Sequence, residues 1–258
     1  MDWLQDLRAR ADRAPVVARD ALLVNAGASP IGSVEPVLAG RMVEAGLPIV
    51  PTPAGWCVTG APLNAAFAHI AEWLRAQGLA SAWRNELLSV SDASGAVIGL
   101  IERAAVRPLG ITTHAVHLVG WAEQGGVWVQ QRALDKATDP GRWDTLMGGL
   151  VSAGESIADT LERETWEEAG LRIGELREVI AGSRLTVRRP LSEGYMVEHI
   201  HVHEAVIPAQ LTPLNQDGEV AAFERLSTSD LRERLRTGLF TLEAALILVD
   251  ALEVSKHG

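Results

Sequence analysis

The chain has 258 residues, 47% of them hydrophobic and 22% charged, with a formal net charge of −10. That composition suits a globular protein with a sizeable core, built as one large or two medium domains. The acidity speaks against a nucleic-acid or anionic-membrane surface, both of which need basic patches.

An acidic protein can still take phosphates if metal ions bring the positive charge, so a phosphate-handling reading has to find metal ligands. Cys57 is the only cysteine, which rules out an intramolecular disulfide and a thiolate metal cluster. The opening run MDWLQDLRARADR is charged throughout and lacks the apolar centre of a signal peptide. No stretch approaches the roughly 18 apolar residues of a membrane span, and the expected address is the cytoplasm.

Residues 2–13 carry Trp3, Leu4 and Leu7 among charges and read as a short surface helix. Residues 15–61 are rich in Pro and Gly, with short apolar runs at 21–24 and 47–50, and predict small strands and turns. Pro62 opens a helix with Leu63, Phe67, Ile70 and Leu74 on one face, stopped at Gly78. Strands follow at 86–90 and 96–101. A small α+β domain is expected over 1–107, ending in an exposed linker at Arg107-Pro108, with a second domain over 108–258. In that second part, strands at 116–121 and 127–132 flank the Gly125-Gly126 turn. A loop runs over 135–144, a helix spans 156–169 with Gly170 beyond its end, strands return at 179–187 and 197–207, and helices at 229–236 and 241–254 close the chain.

The informative segment begins at Gly149. After five intervening residues stands Glu155, and after seven more come Arg163-Glu164, then Glu167-Glu168 and Gly170-Leu171. Glu164, Glu167 and Glu168 sit at i, i+3 and i+4, neighbours on one helix face, where like charges destabilise a helix unless something compensates. Hard divalent ions prefer oxygen ligands of this kind. Ile157, Leu161 and Thr165 define the buried stripe; Glu168 projects inside it and Glu164 lies at its edge. A carboxylate turned toward the protein is costly unless paired or metal-bound. A bare E-x-x-E-E run is ordinarily a solvated face, and here the glycines, Glu155, Arg163 and the wheel geometry outweigh that reading. Arg163 falls off the glutamate cluster on the wheel, which suggests an ion pair, with Glu155 as partner, fixing the loop against the helix.

This segment resembles the Nudix box, G-x5-E-x7-R-E-U-x-E-E-x-G-U with U aliphatic, and all seven fixed positions match. At background frequencies a chance match is on the order of one in a million. One departure is Thr165 at an aliphatic position. The resemblance implies an α/β fold, the Nudix α/β/α sandwich with a mixed sheet, preceded here by the small α+β domain. It implies a pyrophosphohydrolase acting on a small phosphorylated molecule, with Mg²⁺ (Mn²⁺ as the alternative) on Glu164, Glu167, Glu168 and the Gly148 carbonyl. A further carboxylate outside the helix should serve as general base, with Glu219 and Glu198 as candidates. Neither nucleic acid nor membrane is expected as a partner, and the oligomeric state is open, a homodimer being entertained.

Trp83-Arg84-Asn85-Glu86-Leu87, Ile101-Glu102-Arg103, His117–Trp121, Arg132, Lys136, Trp143-Asp144, Glu198 and Asp217-Gly218-Glu219-Val220 extend the resemblance over about residues 60–225. They resemble the branch related to the Nudix halves of fungal thiamine pyrophosphokinases. That likeness implies oxidised thiamine diphosphate as substrate, cleaved to the monophosphate and phosphate. Rival readings are a hydrolase of nucleoside diphosphate sugars or dinucleotides, an isopentenyl diphosphate isomerase, and a non-catalytic ligand sensor. His199, His201 and His203 alternate and so share one strand face, where they could line the substrate pocket or hold zinc. Arg132, Arg184, Arg188 and Arg189 are phosphate candidates, and Trp83 and Trp143 candidates for ring stacking.

Overall fold

The computed structural model describes residues 2–24, 29–81, 83–136 and 138–254. Helix α1 (Trp3–Ala11) comes first, and then strands β1 (Asp20–Val24) and β2 (Gly32–Val34). Helix α2 (Pro36–Glu44) follows where the sequence predicts only strands and turns. Pro36 supplies its first-turn φ and needs no hydrogen-bonded N–H there, while nine residues interrupted by Gly40 give too little periodicity to read. Strands β3 (Ile49–Thr52) and β4 (Gly55–Val58) complete a four-stranded sheet in the order β2-β1-β4-β3. Helix α3 (Leu63–Ala76) buries Phe67, Ile70 and Leu74, the face its spacing predicts. The hairpin of β5 (Leu87–Ser91) and β6 (Val97–Glu102) packs beside it. Leu22, Val34, Met42, Phe67, Leu88 and Ile101 share one core.

The second half is a seven-stranded mixed sheet. Its strands are β7 (Thr112–Ala122), β8 (Val127–Arg132), β9 (Trp143–Asp144), β10 (Met147–Leu150), β11 (Arg177–Leu191), β12 (Gly194–Ile207) and β13 (Val220–Leu226). The main order is β11-β12-β7-β8-β13, with β10 beside β7 and β9 beside β8. β12 runs parallel to β7, whereas β11–β12 and β7–β8 are antiparallel. Helix α4 (Ile157–Ala169) covers one face through Leu161 against Val116, Leu118 and Met147. Helices α5 (Thr228–Arg236) and α6 (Leu242–Val254) cover the other through Leu231, Leu235, Ile247 and Leu248. The result is the α/β/α sandwich preceded by an α+β region.

Helix α1 does not pack with the residues that follow it. Leu7 and Ala11 join the core that holds α6, and Arg188 pairs with Asp12 at 3.0 Å. The linker expected to be exposed at Arg107-Pro108 is packed: Ala105, Val106, Leu109 and Ile111 are 1% exposed or less. Its backbone is bonded too, the Leu109 carbonyl accepting from Ser33 N and the Arg107 carbonyl from Tyr195 N. Apolar side chains at four of these seven positions draw the segment inward. Among the described residues no helix is long and apolar enough to cross a membrane.

Candidate active site

Helix α4 is held at both ends. Ser156 and Asp159 form a reciprocal capping box at its start, and Gly170, at φ 64°, takes the left-handed C-cap that a side chain disfavours. Between them Leu161, Thr165 and Glu168 face inward, and Glu168 is only 2% exposed. Its Oε2 accepts from Gly148 N at 2.9 Å and from Gln130 Nε2 at 2.8 Å. Burial, with the charge of Glu164 adding to it, raises the Glu168 carboxyl to about 8. Burial likewise raises Glu164, against the pull of Arg163. Gly149 lies so close to Glu164 that an added Cβ would overlap its carboxylate, which explains the glycine there.

Arg163 ties the segment together. Its guanidinium meets Glu155 through Nε at 2.7 Å and Nη2 at 2.8 Å, Glu164 at 2.7 Å and Glu167 at 3.0 Å. The Glu155 contact matches the expected pairing. The contacts to Glu164 and Glu167 correct the wheel argument, because a side chain this long reaches its neighbours across the helix surface. Glu155 sits below the usual carboxylate range chiefly through the Arg163 hydrogen bonds, with Thr160 assisting.

The sheet, α4 and residues of the first half enclose a cleft of about 260 Å³. Glu164, Glu168, Gly148 and Gly149 line one part, and Glu198, Glu219, Arg132 and Lys136 also face it. Glu198 is buried, which works against its charge, but Arg107 at 2.8 Å and the Thr113 hydroxyl at 2.9 Å hold it below the ordinary range. Glu219, in the turn before β13, pairs with Lys136. The Lys136 ammonium is lowered by burial, with Glu168 opposing and Arg132 and Arg84 adding. Arg132 donates to the Thr138 carbonyl and approaches Asp144.

The histidines stand elsewhere. Alternation along β12 turns Met196 and Glu198 to the cleft and His199, His201 and His203 to the opposite face, so none of the three lines it. There His201 Nε2 lies 3.2 Å from His114 Nδ1, and His199 bonds the Thr186 hydroxyl at 2.9 Å. Burial, then the charges of His114 and Arg184, lower His201 to about 4. Trp83 carries the Arg75 guanidinium over its ring and Trp143 that of Arg234; neither lines the cleft, nor do Arg184 and Arg188, whereas Arg189 does.

Among the described residues, the histidine face included, no group of three His, Cys, Asp or Glu stands ready to hold a metal ion. On α4 Arg163 pairs with both Glu164 and Glu167 itself. The donor set nonetheless suits a hard cation. The buried Glu168 and the half-buried Glu164 both line the cleft, and the buried Gln130 Oε1 next to Glu168 has no hydrogen-bond partner. Sequence reasoning missed Arg103, Arg107 and Glu243 as cleft residues, and Gln130 as the partner of Glu168. Each lies far along the chain from the box, and no local pattern marks it.

A family model described as the NUDIX domain matches residues 112–245. The chain is similar to Nudix hydrolase 24, chloroplastic, of Arabidopsis thaliana, with 30% identity over 201 residues covering 75% of this chain and 54% of that one. It therefore spans about half the length of that plant relative. It is also similar to the isopentenyl-diphosphate Delta-isomerase of Streptomyces coelicolor, 33% identical over 150 residues that cover 57% of this chain and 74% of the other. A solved protein of Deinococcus radiodurans superposes with a TM-score of 0.51 at 24% identity, over 64% of this chain and 99% of that one. At that identity the likeness is one of fold.

Proposed function

The chain belongs to the Nudix family, and from that premise we propose that it hydrolyses a pyrophosphate bond in a small diphosphate bound in the cleft. The observation that carries the proposal is the convergence of Glu155, Arg163, Glu164, Glu167 and Glu168 beside a cleft that cations also line. Carboxylates alone repel a diphosphate; carboxylates that hold divalent cations attract it. Mg²⁺ or Mn²⁺ would be held by Glu164, Glu167, Glu168 and the Gly148 carbonyl, and when bound would neutralise phosphate oxygens and acidify a water.

The chain's own groups have separable tasks. Arg163 fixes the Glu155 loop against α4 and keeps the glutamates at one place. Glu219 is the better placed general base. Its side chain is half-exposed at the cleft, whereas Glu198 is buried and committed to Arg107 and Thr113. In the reaction the water oxygen bonds to phosphorus and the bridging P–O bond breaks, its electron pair leaving on the bridging oxygen. Glu219 takes the water's proton and later returns it to product or solvent.

The finer reading is oxidised thiamine diphosphate, cleaved to the monophosphate and phosphate. Its support is the likeness over residues 60–225, an analogy of sequence. The expected histidine wall gives way to Met196, Leu191, Thr241 and Glu243 on the organic side. We further propose that 1–107 and 108–258 are distinct domains sharing the cleft, with α1 reaching over to pack on α6, and that the protein works in the cytoplasm, although the plant relative is named chloroplastic. The isomerase likeness favours a second reading, but that chemistry wants a cysteine at the substrate, and Cys57 is buried on β4 and does not line the cleft. A sensor reading sits poorly with a complete set of box glutamates.

The test is phosphate release under Mg²⁺ from oxothiamine diphosphate, thiamine diphosphate, ADP-ribose and NADH, with isopentenyl diphosphate followed for isomerisation. Turnover of any diphosphate supports the hydrolase. A tenfold preference for ADP-ribose or NADH over every thiamine compound would end the thiamine reading, and isomerisation without hydrolysis would end both.

A further inference from the structure

We propose that Arg84 is a substrate-binding residue that grips the diphosphate, so that the first half of the chain lends a cation to a site whose box glutamates lie in the second. The proposal rests on the diphosphate reading above. Cations lining the cleft are mostly spoken for: Arg103 by Glu86 at 2.7 Å, Arg107 by Glu198 at 2.8 Å, Arg132 by Asp144 at 3.5 Å, Arg189 by Glu243 at 3.1 Å, and Lys136 by Glu219. Arg84 lines the same cleft, yet among the described residues its guanidinium has neither a carboxylate within ion-pair reach nor a hydrogen bond. An unpaired arginine on open surface means little. This one faces a cleft that already holds Arg132 and Lys136, and its charge acts on Lys136 together with that of Arg132. An unpaired guanidinium beside two other cations offers an anion donors that no carboxylate already takes.

The backbone around it is built to keep it there. Asn85 adopts φ 57°, a left-handed turn that asparagine accepts more readily than other side chains. Its side-chain oxygen accepts from Trp83 Nε1 at 2.9 Å, and the Trp83 ring lies under Arg75 with 4.5 Å to the centroid. The buried Glu102 carboxylate accepts from Arg84 N at 3.1 Å. The neighbouring hairpin is fastened to the box loop, since Glu86 accepts from Ser152 Oγ at 3.2 Å and the Leu87 carbonyl from Ala153 N at 2.8 Å. The backbone at Arg84 is thereby fixed relative to α4, and its exposed side chain is free to turn to a ligand. A planar guanidinium with free donors suits the paired oxygens of a phosphate better than an ammonium does.

The probe is inorganic pyrophosphate, titrated calorimetrically into the full chain with Mg²⁺ present, so that the α4 carboxylates carry their cations and the measurement reads binding rather than turnover. The wild type should bind it, Arg84→Gln should bind at least about tenfold more weakly, and Arg84→Lys should recover part of the loss. Arg8→Gln, on α1 and paired with Glu253, should match the wild type. On any diphosphate the enzyme cleaves with Mg²⁺, Arg84→Gln should raise KM about tenfold and leave kcat within about threefold, as lost binding without lost chemistry requires. No pyrophosphate binding by the wild type, or equal binding by Arg84→Gln, overturns the proposal. If no diphosphate is hydrolysed but Arg84→Gln still loses pyrophosphate, the hydrolase reading fails while the assignment of Arg84 stands.

Discussion

Replacing Arg107 with methionine tests how the two halves are joined. Arg107 and Glu198 meet at 2.8 Å with side chains 15% and 9% exposed, and removing one member of such a pair strands a buried charge at a cost of about 3–5 kcal/mol. Thr113 still donates to Glu198, so the lower end of that range applies, about 3 kcal/mol. For a chain of this size each kcal/mol moves Tm by about 2–4 °C, which gives a fall of about 6–12 °C. The pH dependence supplies a sharper check. In the wild type, burial opposes the Glu198 charge but Arg107 outweighs it, so the folded pKa lies below the ordinary 4.5. The pair's contribution is therefore present above about 4.5 and lost as pH falls through the folded value. In Arg107→Met the larger lowering cause is gone, burial is opposed mainly by the Thr113 hydrogen bond, the carboxyl rises, and the variant weakens as pH climbs. Its deficit, measured by guanidinium denaturation, should be small at pH 4 and full at pH 7, and Arg107→Met/Glu198→Met should recover part of it. An equal deficit at both pH values, or a Tm loss under about 2 °C at pH 7, would refute the reasoning.

Glu167→Gln and Glu168→Gln should each lower kcat by about two orders of magnitude or more with folding retained, as circular dichroism and turnover at saturating Mg²⁺ would check; near-normal rates in both would remove α4 from the site. Limited proteolysis should spare residues 104–112 in the native protein, because the segment is buried and its backbone bonded; early cleavage there would show it opening on its own. The histidine face should make the fold acid-sensitive. His201 is lowered from 6.5 to about 4, so the unfolded chain takes the proton first and stability falls as pH drops across that window. Denaturation midpoints at pH 7 and 5 should therefore converge in His201→Gln relative to the wild type, and an unchanged pH response would exclude His201 as the cause.

What could be read from the sequence was what is local. Helix α4 was expected at 156–169 and runs Ile157–Ala169, and β8 was expected and found at Val127–Arg132. The box itself is one loop and one helix, so spacing alone placed Glu168 in the buried stripe. Strand β13 escaped because only Val220 and Leu226 are buried in a run with two alanines and two charges, which leaves no alternation to see. Strands β9 and β10 are two and four residues long, and the latter contains two glycines. The cleft escaped for a different reason: Arg84, Arg107 and Glu243 are brought together by strand pairing and by the burial of residues 105–111, which no window of sequence contains. The histidines show the limit of period-two reasoning. It put them on one face and could not say which side of the sheet that face would be.

The placement of α1 has a consequence for how the chain is made. Leu7 and Ala11 share a core with Ile247 and Leu248, roughly 240 residues away along the sequence. At a synthesis rate of about 5–20 residues per second, α1 waits on the order of ten to fifty seconds before α6 is available. Throughout that interval Leu7 and Ala11 lack the helix that finally covers them, and the second-half sheet lacks α6 over its α5 side. Whatever shields newly made apolar surface must therefore attend this chain until its last helix is released. Slowing synthesis over residues 242–254 should raise the aggregated fraction more than slowing it over 63–76, where α3 closes on residues already made.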